Sequence, residues 1–239
     1  GSAFGILQVE KDGRITGFEE KPAHPTPLPH DPRYCLVSMG NYFFSKSLLV
    51  QLLEKGAHEE AKGDDFGRDI IPPLIERHRV YAYDFRNNQI LGEPDGQPPY
   101  WRDVGTLDAY YAASLDLRAS IPSLNLYNPA WPIRSGASTL PPAKFTTDEG
   151  QQGMAIQSIV SEGCIISGAT VTDSVLAPDV FVQCHAHVEQ SVIMNGCRIL
   201  RHARVRRAIL DKNVVVPAGE TIGWDLERDR HRFTLSEDG

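Results

Sequence analysis

Written from Gln157 in rows of 17, the sequence falls into columns: QSIVSEGCIISGATVTD, SVLAPDVFVQCHAHVEQ, SVIMNGCRILRHARVRR, AILDKNVVVPAGETIGW. The third column reads Ile159, Leu176, Ile193 and Leu210; the ninth, Ile165, Val182, Ile199 and Val216; the fifteenth, Val171, Val188, Val205 and Ile222. Within a row the apolar positions are separated by six, six and then five residues. An amphipathic helix would repeat every 3.6 residues, so the period excludes one. Three short faces per turn, each with one inward aliphatic side chain, describe a triangular parallel β-helix. The thirteenth column supplies Ala169, Ala186 and Ala203, small residues suited to a tight corner. A stack of about four coils cannot bury both its ends, so it must pack against something else.

The preceding sequence has a different grammar. FGILQVE and RITGFEE flank Lys11-Asp12-Gly13, predicting a hairpin over residues 4–20 with a type I′ turn. YCLVSMGNYFF (34–44) reads as a buried strand. SLLVQLLEKG (47–56) reads as a helix capped by Ser45 or Ser47 and stopped by Gly56, and DIIPPLIERH (69–78) as a second, with Pro72 in its first turn. VYAYDF (80–85) returns as a strand, and Thr106 caps a helix over residues 107–118. Alternating strands and helices indicate an α/β layer fold. Five prolines between Pro122 and Pro142 rule out a long helix there. The divisions are an α/β part over 1–118, a linker over 119–152 and a β-helix over 153–239. Gly1-Ser2-Ala3 runs straight into the first strand, which implies chain upstream.

Composition narrows the function. A net charge of −7 without a long basic run argues against nucleic-acid binding. No stretch approaches the roughly 20 apolar residues needed to cross a bilayer. Cys35, Cys164, Cys184 and Cys197 show no metal-binding spacing and read as reduced, buried thiols, which fits a cytoplasmic protein.

Four segments carry chemistry. In Phe18-Glu19-Glu20-Lys21-Pro22, a lysine and a carboxylate at a strand end can hold a phosphate and sugar hydroxyls, because the ammonium donates and the carboxylate accepts. The carboxyl ends of strands are where ligands bind in open α/β sheets. Ser38-Met39-Gly40-Asn41-Tyr42 places a hydroxyl in an apolar run. Gly63-Asp64-Asp65-Phe66-Gly67 reads as the turn that opens a helix. In Tyr100-Trp101-Arg102-Asp103-Val104-Gly105-Thr106, Asp103 is either a cap or a ligand for Mg²⁺, which takes one or two carboxylates plus substrate phosphates.

Together, FEEKP, SMGNYFF, GDDFGRDIIP and YWRDVGTLDAYY resemble the bacterial glucose-1-phosphate adenylyltransferases, and the coils resemble the hexapeptide-repeat left-handed β-helix that ends those enzymes. The resemblance spans nearly the whole chain. FxEKP marks the wider sugar nucleotidyltransferases, whereas DFGRDIIP with YWRDVGT marks the ADP-glucose branch. It implies a partial nucleotidyltransferase Rossmann-like domain followed by a left-handed parallel β-helix. It also implies formation of ADP-glucose and pyrophosphate from ATP and glucose 1-phosphate, in glycogen biosynthesis, by a cytoplasmic homotetramer. By position, Glu20 and Lys21 would hold the glucose hydroxyls and phosphate, and Ser38 and Tyr42 would line the glucose pocket. Asp65 and Phe66 would shape it, Trp101 would border the sugar, and Asp103 would carry Mg²⁺. Arg201, Arg204, Arg206, Lys212 and Arg232 would be contacts for anionic effectors such as fructose 1,6-bisphosphate or AMP. The family's Gly-rich ATP loop and second metal-binding aspartate have no counterpart here, which implies a chain inactive alone. A UDP- or GDP-sugar enzyme, a non-catalytic regulatory subunit, and an acyltransferase using His185, His187 or His202 stay open.

Overall fold

A computed structural model describes residues 1–58, 65–134, 136 and 139–236. Gly63 and Asp64 of the third motif lie outside the described residues. The chain divides into two compact units, Gly1–Asn87 and Asn88–Gly239. The second takes in the 88–118 segment assigned above to the α/β part.

The first unit is built on β1 (Gly5–Val9), β2 (Ile15–Glu20) and β3 (Leu36–Val37), an antiparallel sheet in the order β2-β1-β3. The β1–β2 hairpin forms as expected, but its turn is not type I′. Gly13 is left-handed (φ 85°) while Lys11 and Asp12 are not; its amide donates to the Glu10 carbonyl at 3.0 Å, and the Glu10 amide donates to the Arg14 carbonyl at 2.8 Å. That is a type I turn closed by a glycine bulge, the usual three-residue hairpin solution. Helix α1 (Lys46–His58) starts from Ser45, whose carbonyl accepts from the Leu49 amide at 3.1 Å. It runs on past Gly56, so glycine does not stop it. A π-helical turn (Phe66–Ile70) leads into α2 (Ile71–Arg77), with prolines at its first positions. α2 packs on β2, and Ile6, Ile15, Ile71 and Leu74 form the buried core. Each contributes roughly 1.5–3 kcal/mol by leaving water.

Two strand expectations fail. Of residues 34–44, only Leu36–Val37 pairs, and Phe43 is 99% exposed. Of residues 80–85, Tyr81 makes a single bridge to Arg14. In both runs the aromatic side chains are placed elsewhere: Tyr42 stacks on Phe66 and Phe44 meets the same ring at a tilt, and Tyr81 and Tyr83 face solvent.

In the second unit, Thr106 caps α3 (Leu107–Asp116) as read from sequence, its Oγ1 accepting from the Ala109 amide at 3.1 Å. Beyond lies the parallel β-helix, with faces built from short strands such as Val175–Leu176, Val192–Ile193 and Ile209–Leu210. The strands begin within the segment read as linker. β4 (Lys144–Asp148) stacks in parallel on Ile165–Ser167 and turns back through β5 (Gln151–Gln152).

The columns hold with one correction. Between the second, third and fourth coils every inward residue stacks 17 apart: Leu176 on Ile193 on Leu210, and Val182 on Ile199 on Val216. In the first coil, however, Val160 stacks on Leu176 and Ile166 on Val182, 16 apart, while Val171 still stacks on Val188 at 17. One residue is therefore missing between Ile166 and Gly168. Ile166 is fully buried and Ile165 is 36% exposed, so Val160 and Ile166, not Ile159 and Ile165, face the core. Gly168 makes the shortened corner possible, because a Cβ there would stand 2.7 Å from Cys184 Sγ and 2.8 Å from the Asp148 carbonyl.

Each coil turns at left-handed residues that recur in columns, among them Asp173, Gln190 and Arg207, and His185 and His202. Such a conformation costs a non-glycine residue roughly 1–2 kcal/mol. The corner amides offset this by donating to the coil before: Gln190 to Thr172, Arg207 to Glu189, His202 to Cys184, at 3.0–3.2 Å. Buried Ser174 and Ser191 continue the ladder: Ser174 N–H donates to Ser158 Oγ and Ser191 N–H to Ser174 Oγ.

Cys164, Cys184 and Cys197 are buried free thiols, as read, and Cys35 is half-buried. Burial pushes the three buried thiols up. α3 covers one face of the solenoid, with Tyr111 Oη donating to the Gln190 carbonyl at 2.5 Å and Arg118 pairing with Asp173 at 3.0 Å. α4 (Leu226–Arg230) follows the last coil, where Asp229, 2% exposed, accepts from the Gly223 amide.

Candidate functional site

Six of the motif residues come together in the first unit, and the sheet explains how. Along β2 successive side chains alternate faces. Glu19 is taken up internally, accepting from Gln8 Nε2 and Thr26 Oγ1, each at 2.7 Å. Glu20 points the other way, so that Oε2 lies against the backbone of Gly67. Of the two adjacent carboxylates, Glu19 is hydrogen-bonded within the unit and Glu20 stands beside Gly67.

Lys21 follows directly. Its φ is +45° although proline comes next, and residues before proline favour extended backbone. Its amide donates to the Phe4 carbonyl at 3.2 Å, holding this conformation. Backbone strain of about 1–3 kcal/mol collects at functional positions. The ammonium is exposed and stands 3.9 Å from Glu20 Oε1, a pairing too long and too wet to spend the charge.

Ser38 is fixed by its amide, which donates to the Gly5 carbonyl at 2.7 Å. Its hydroxyl lies 3.1 Å from Tyr42 Oη. The Tyr42 ring stacks on Phe66 at 5.7 Å and 15°, and Phe44 meets Phe66 at 5.7 Å. Asp65 caps the helical turn, Oδ1 accepting from the Arg68 amide at 2.8 Å. The Arg68 guanidinium grips Asp69 with two bonds of 3.0 Å, and this hydrogen bonding holds the Asp69 carboxyl below the usual range. The result is an aromatic wall, a hydroxyl pair, a carboxylate and an exposed ammonium from three separate segments. That set can grip a polyhydroxylated, anionic small molecule.

Trp101 and Asp103 belong to the second unit, and both are exposed. In the same unit a cavity of about 150 Å³ lies between the 90–100 loop and the 123–133 segment, lined by Tyr100 and Trp131 among others but by neither Trp101 nor Asp103. Asn128, 5% exposed, ties that region together, donating to the Leu91 carbonyl at 2.7 Å and accepting from the Ala130 amide at 3.0 Å. The Asp103 carboxylate stands over the bare backbone of Gly105 and, among the described residues, has no ion-pair partner. A single exposed carboxylate fits a hard cation that draws its other ligands from substrate phosphates and water.

The five basic residues read as effector contacts are placed differently from one another. Arg201 pairs with Asp148 and Glu149. Arg204 and Arg206 both lie over the Trp224 ring, at 3.8 and 4.1 Å. Arg232 binds Glu220 at 3.0 Å. Lys212 has no side-chain ion pair among the described residues. Sequence spacing gave no hint that Glu149, Cys184 and His185 would meet. Their ligand-type atoms lie within 4.8 Å of one another. Yet Arg201 and His185 already hold Glu149, and Cys184 Sγ donates to the Asp148 carbonyl, so the group fastens the β4–β5 hairpin over a solenoid corner.

A family model of nucleotidyl transferases matches residues 1–120, half of the chain, and one of the GlmU-like C-terminal hexapeptide matches residues 141–239. The chain belongs to the nucleotidyl transferase family. Curated relatives extend the match across all of it. A glucose-1-phosphate adenylyltransferase of Corynebacterium jeikeium is 49% identical over 100% of this chain and 58% of its own length. One of Anaeromyxobacter sp. is 46% identical over 100% and 59%, and one of Alteromonas mediterranea 46% over 99% and 54%. The chain thus spans under three-fifths of the length of these relatives. Nucleotidyl transferases of this kind generally use a divalent metal. No helix among the described residues of this nucleotidyl transferase chain is long and apolar enough to cross a membrane.

Proposed function

We propose that this chain forms the sugar-phosphate side of an enzyme joining ATP and glucose 1-phosphate into ADP-glucose and pyrophosphate. The observation that carries the reading is the convergence of Glu20, Lys21, Ser38, Tyr42, Asp65 and Phe66 in one unit. The whole-chain likeness to proteins named glucose-1-phosphate adenylyltransferase supports the same substrate.

In this scheme a phosphate oxygen of glucose 1-phosphate attacks the α-phosphorus of ATP. The bond to the β-bridging oxygen breaks and pyrophosphate leaves with that electron pair. Such chemistry asks for positioning and charge neutralisation rather than covalent help. Lys21 offsets the repulsion between the two phosphates. Glu20 accepts from glucose hydroxyls, the Ser38–Tyr42 pair and the Phe66 ring bound the sugar, and Asp65 holds the Phe66 turn in place. Asp103 would hold Mg²⁺, which when bound supplies charge neutralisation and a template for phosphate oxygens. The whole protein acts in the cytoplasm as a homotetramer in glycogen synthesis. Lys212 is the basic residue best placed to meet an anionic effector.

The test is steady-state kinetics of the complete protein. Lys21→Ala raises the KM for glucose 1-phosphate far more than that for ATP, and an equal rise in both removes Lys21 from this role. Asp103→Asn lowers kcat by orders of magnitude with folding unchanged, and near-normal turnover refutes metal ligation.

A further inference from the structure

Gly67 is the second residue of the Phe66–Ile70 turn, where glycine is less stable than alanine. Its backbone is outside the left-handed region, so the turn itself has no need of glycine. The need comes from across the cluster. A Cβ on Gly67 would stand 2.6 Å from Glu20 Oε2 and 3.2 Å from Glu20 Cδ. We infer that Gly67 is a positioning residue: its bare backbone leaves the space in which the Glu20 carboxylate stands, and so sets where the sugar hydroxyls find their acceptor. This rests on the reading of Glu20 as a sugar-binding group.

The contacts decide what would move. At 2.6 Å something must shift, and the far end of a flexible glutamate yields before a helical turn does. A substitution at Gly67 therefore displaces the Glu20 carboxylate while leaving the fold in place. Gly5, on the other side of the same carboxylate, behaves differently. Its Cβ would meet Phe18 Cζ at 2.4 Å before reaching Glu20 Oε2 at 3.1 Å, so a change there disturbs the β1–β2 pair first. At Gly67 the Cβ would meet Glu20 first, with Asp65 Oδ1 at 3.4 Å, an ordinary contact that asks nothing to move.

Two measurements on Gly67→Ala test this. A crystal structure is expected to show the Glu20 carboxylate displaced with the Phe66–Ile70 turn retained; an unmoved Glu20 and a shifted turn overturn the inference. Calorimetry with glucose 1-phosphate is expected to show binding weakened about tenfold or more by Gly67→Ala, the scale of losing a hydrogen bond to a charged group. In a Glu20→Ala background the same substitution adds no further loss. Equal weakening in both backgrounds overturns the claim that Gly67 acts through Glu20. If the unsubstituted chain binds no glucose 1-phosphate, the functional reading fails instead, and the crystal structure still decides the positional claim.

Discussion

The solenoid and the Glu20 cluster both hold backbone in the left-handed region, to opposite ends. At the solenoid corners, left-handed Asp173, Gln190 and Arg207 succeed one another coil after coil. Each is secured by the same amide bond to the coil before, and the inward columns between them are fully buried. Lys21 is left-handed once, at the end of a strand, in front of a proline, with its charge in solvent. Strain that repeats with the fold is architecture. Strain that occurs once, beside an exposed charge and an aromatic wall, has no such repeat to explain it, and the proposed sugar-phosphate site accounts for it. Buried area tells the same story, since the solenoid contains most of the core and the cluster leaves its polar groups facing out.

The comparison can be broken first in the solenoid. Ile166→Ala should cost about 2–5 kcal/mol in denaturant unfolding, the range for emptying a packed aliphatic site. Ile165→Ala should cost less than about 1 kcal/mol, because that side chain is already partly in water. Equal losses would return the first coil to a 17-residue register.

Next comes the cluster. Lys21→Ala should weaken glucose 1-phosphate binding by about 1.5–3 kcal/mol, the worth of a hydrogen bond to a charged group. The unfolding midpoint should stay where it is, and a marked fall would make Lys21 a structural residue. Removing the α3 cap by Thr106→Ala should cost about 1 kcal/mol. The loss should be read in hydrogen exchange of the α3 amides without loss of protection in the coils; uniform loss would mean that α3 and the solenoid unfold together.

The smallest effect concerns pH. Glu220 is held below its ordinary 4.5 chiefly by the Arg232 side chain, then by the Thr221 amide. A lowered folded pKa means that the stabilisation is complete above 4.5 and fades as pH falls through the lower folded value. Because the Arg232 side chain is about a third exposed, solvent screens the pair and the gain is small. An NMR titration of the Trp224 indole, near the same end of the solenoid, should show its midpoint below 4.5; a midpoint at or above that value contradicts the Glu220–Arg232 clasp.

Much of this was legible in the sequence, and the failures have physical reasons. The columns gave the β-helix because only inward positions must be aliphatic. They misplaced the first coil because Ile159 and Val160, and Ile165 and Ile166, are adjacent β-branched residues, so a slip of one leaves the pattern intact. The motif residues were legible by type. Their assembly was not, because the Ser38–Tyr42 contact, the Phe66 stack and the Gly67 backbone against Glu20 arise only when separate loops close on one another. Residues 34–44 read as a buried strand because aromatics that wall a site cannot be told from those that fill a core.

The central claim is that one unit of this chain grips a phosphorylated hexose through Lys21. Calorimetry of the chain with glucose 1-phosphate, alongside glucose and inorganic phosphate, tests it most directly. The account expects saturable binding of glucose 1-phosphate, weaker heats for either half alone, and loss of the signal in a folded Lys21→Ala variant. Undiminished binding by that variant, or no preference over inorganic phosphate, would contradict it.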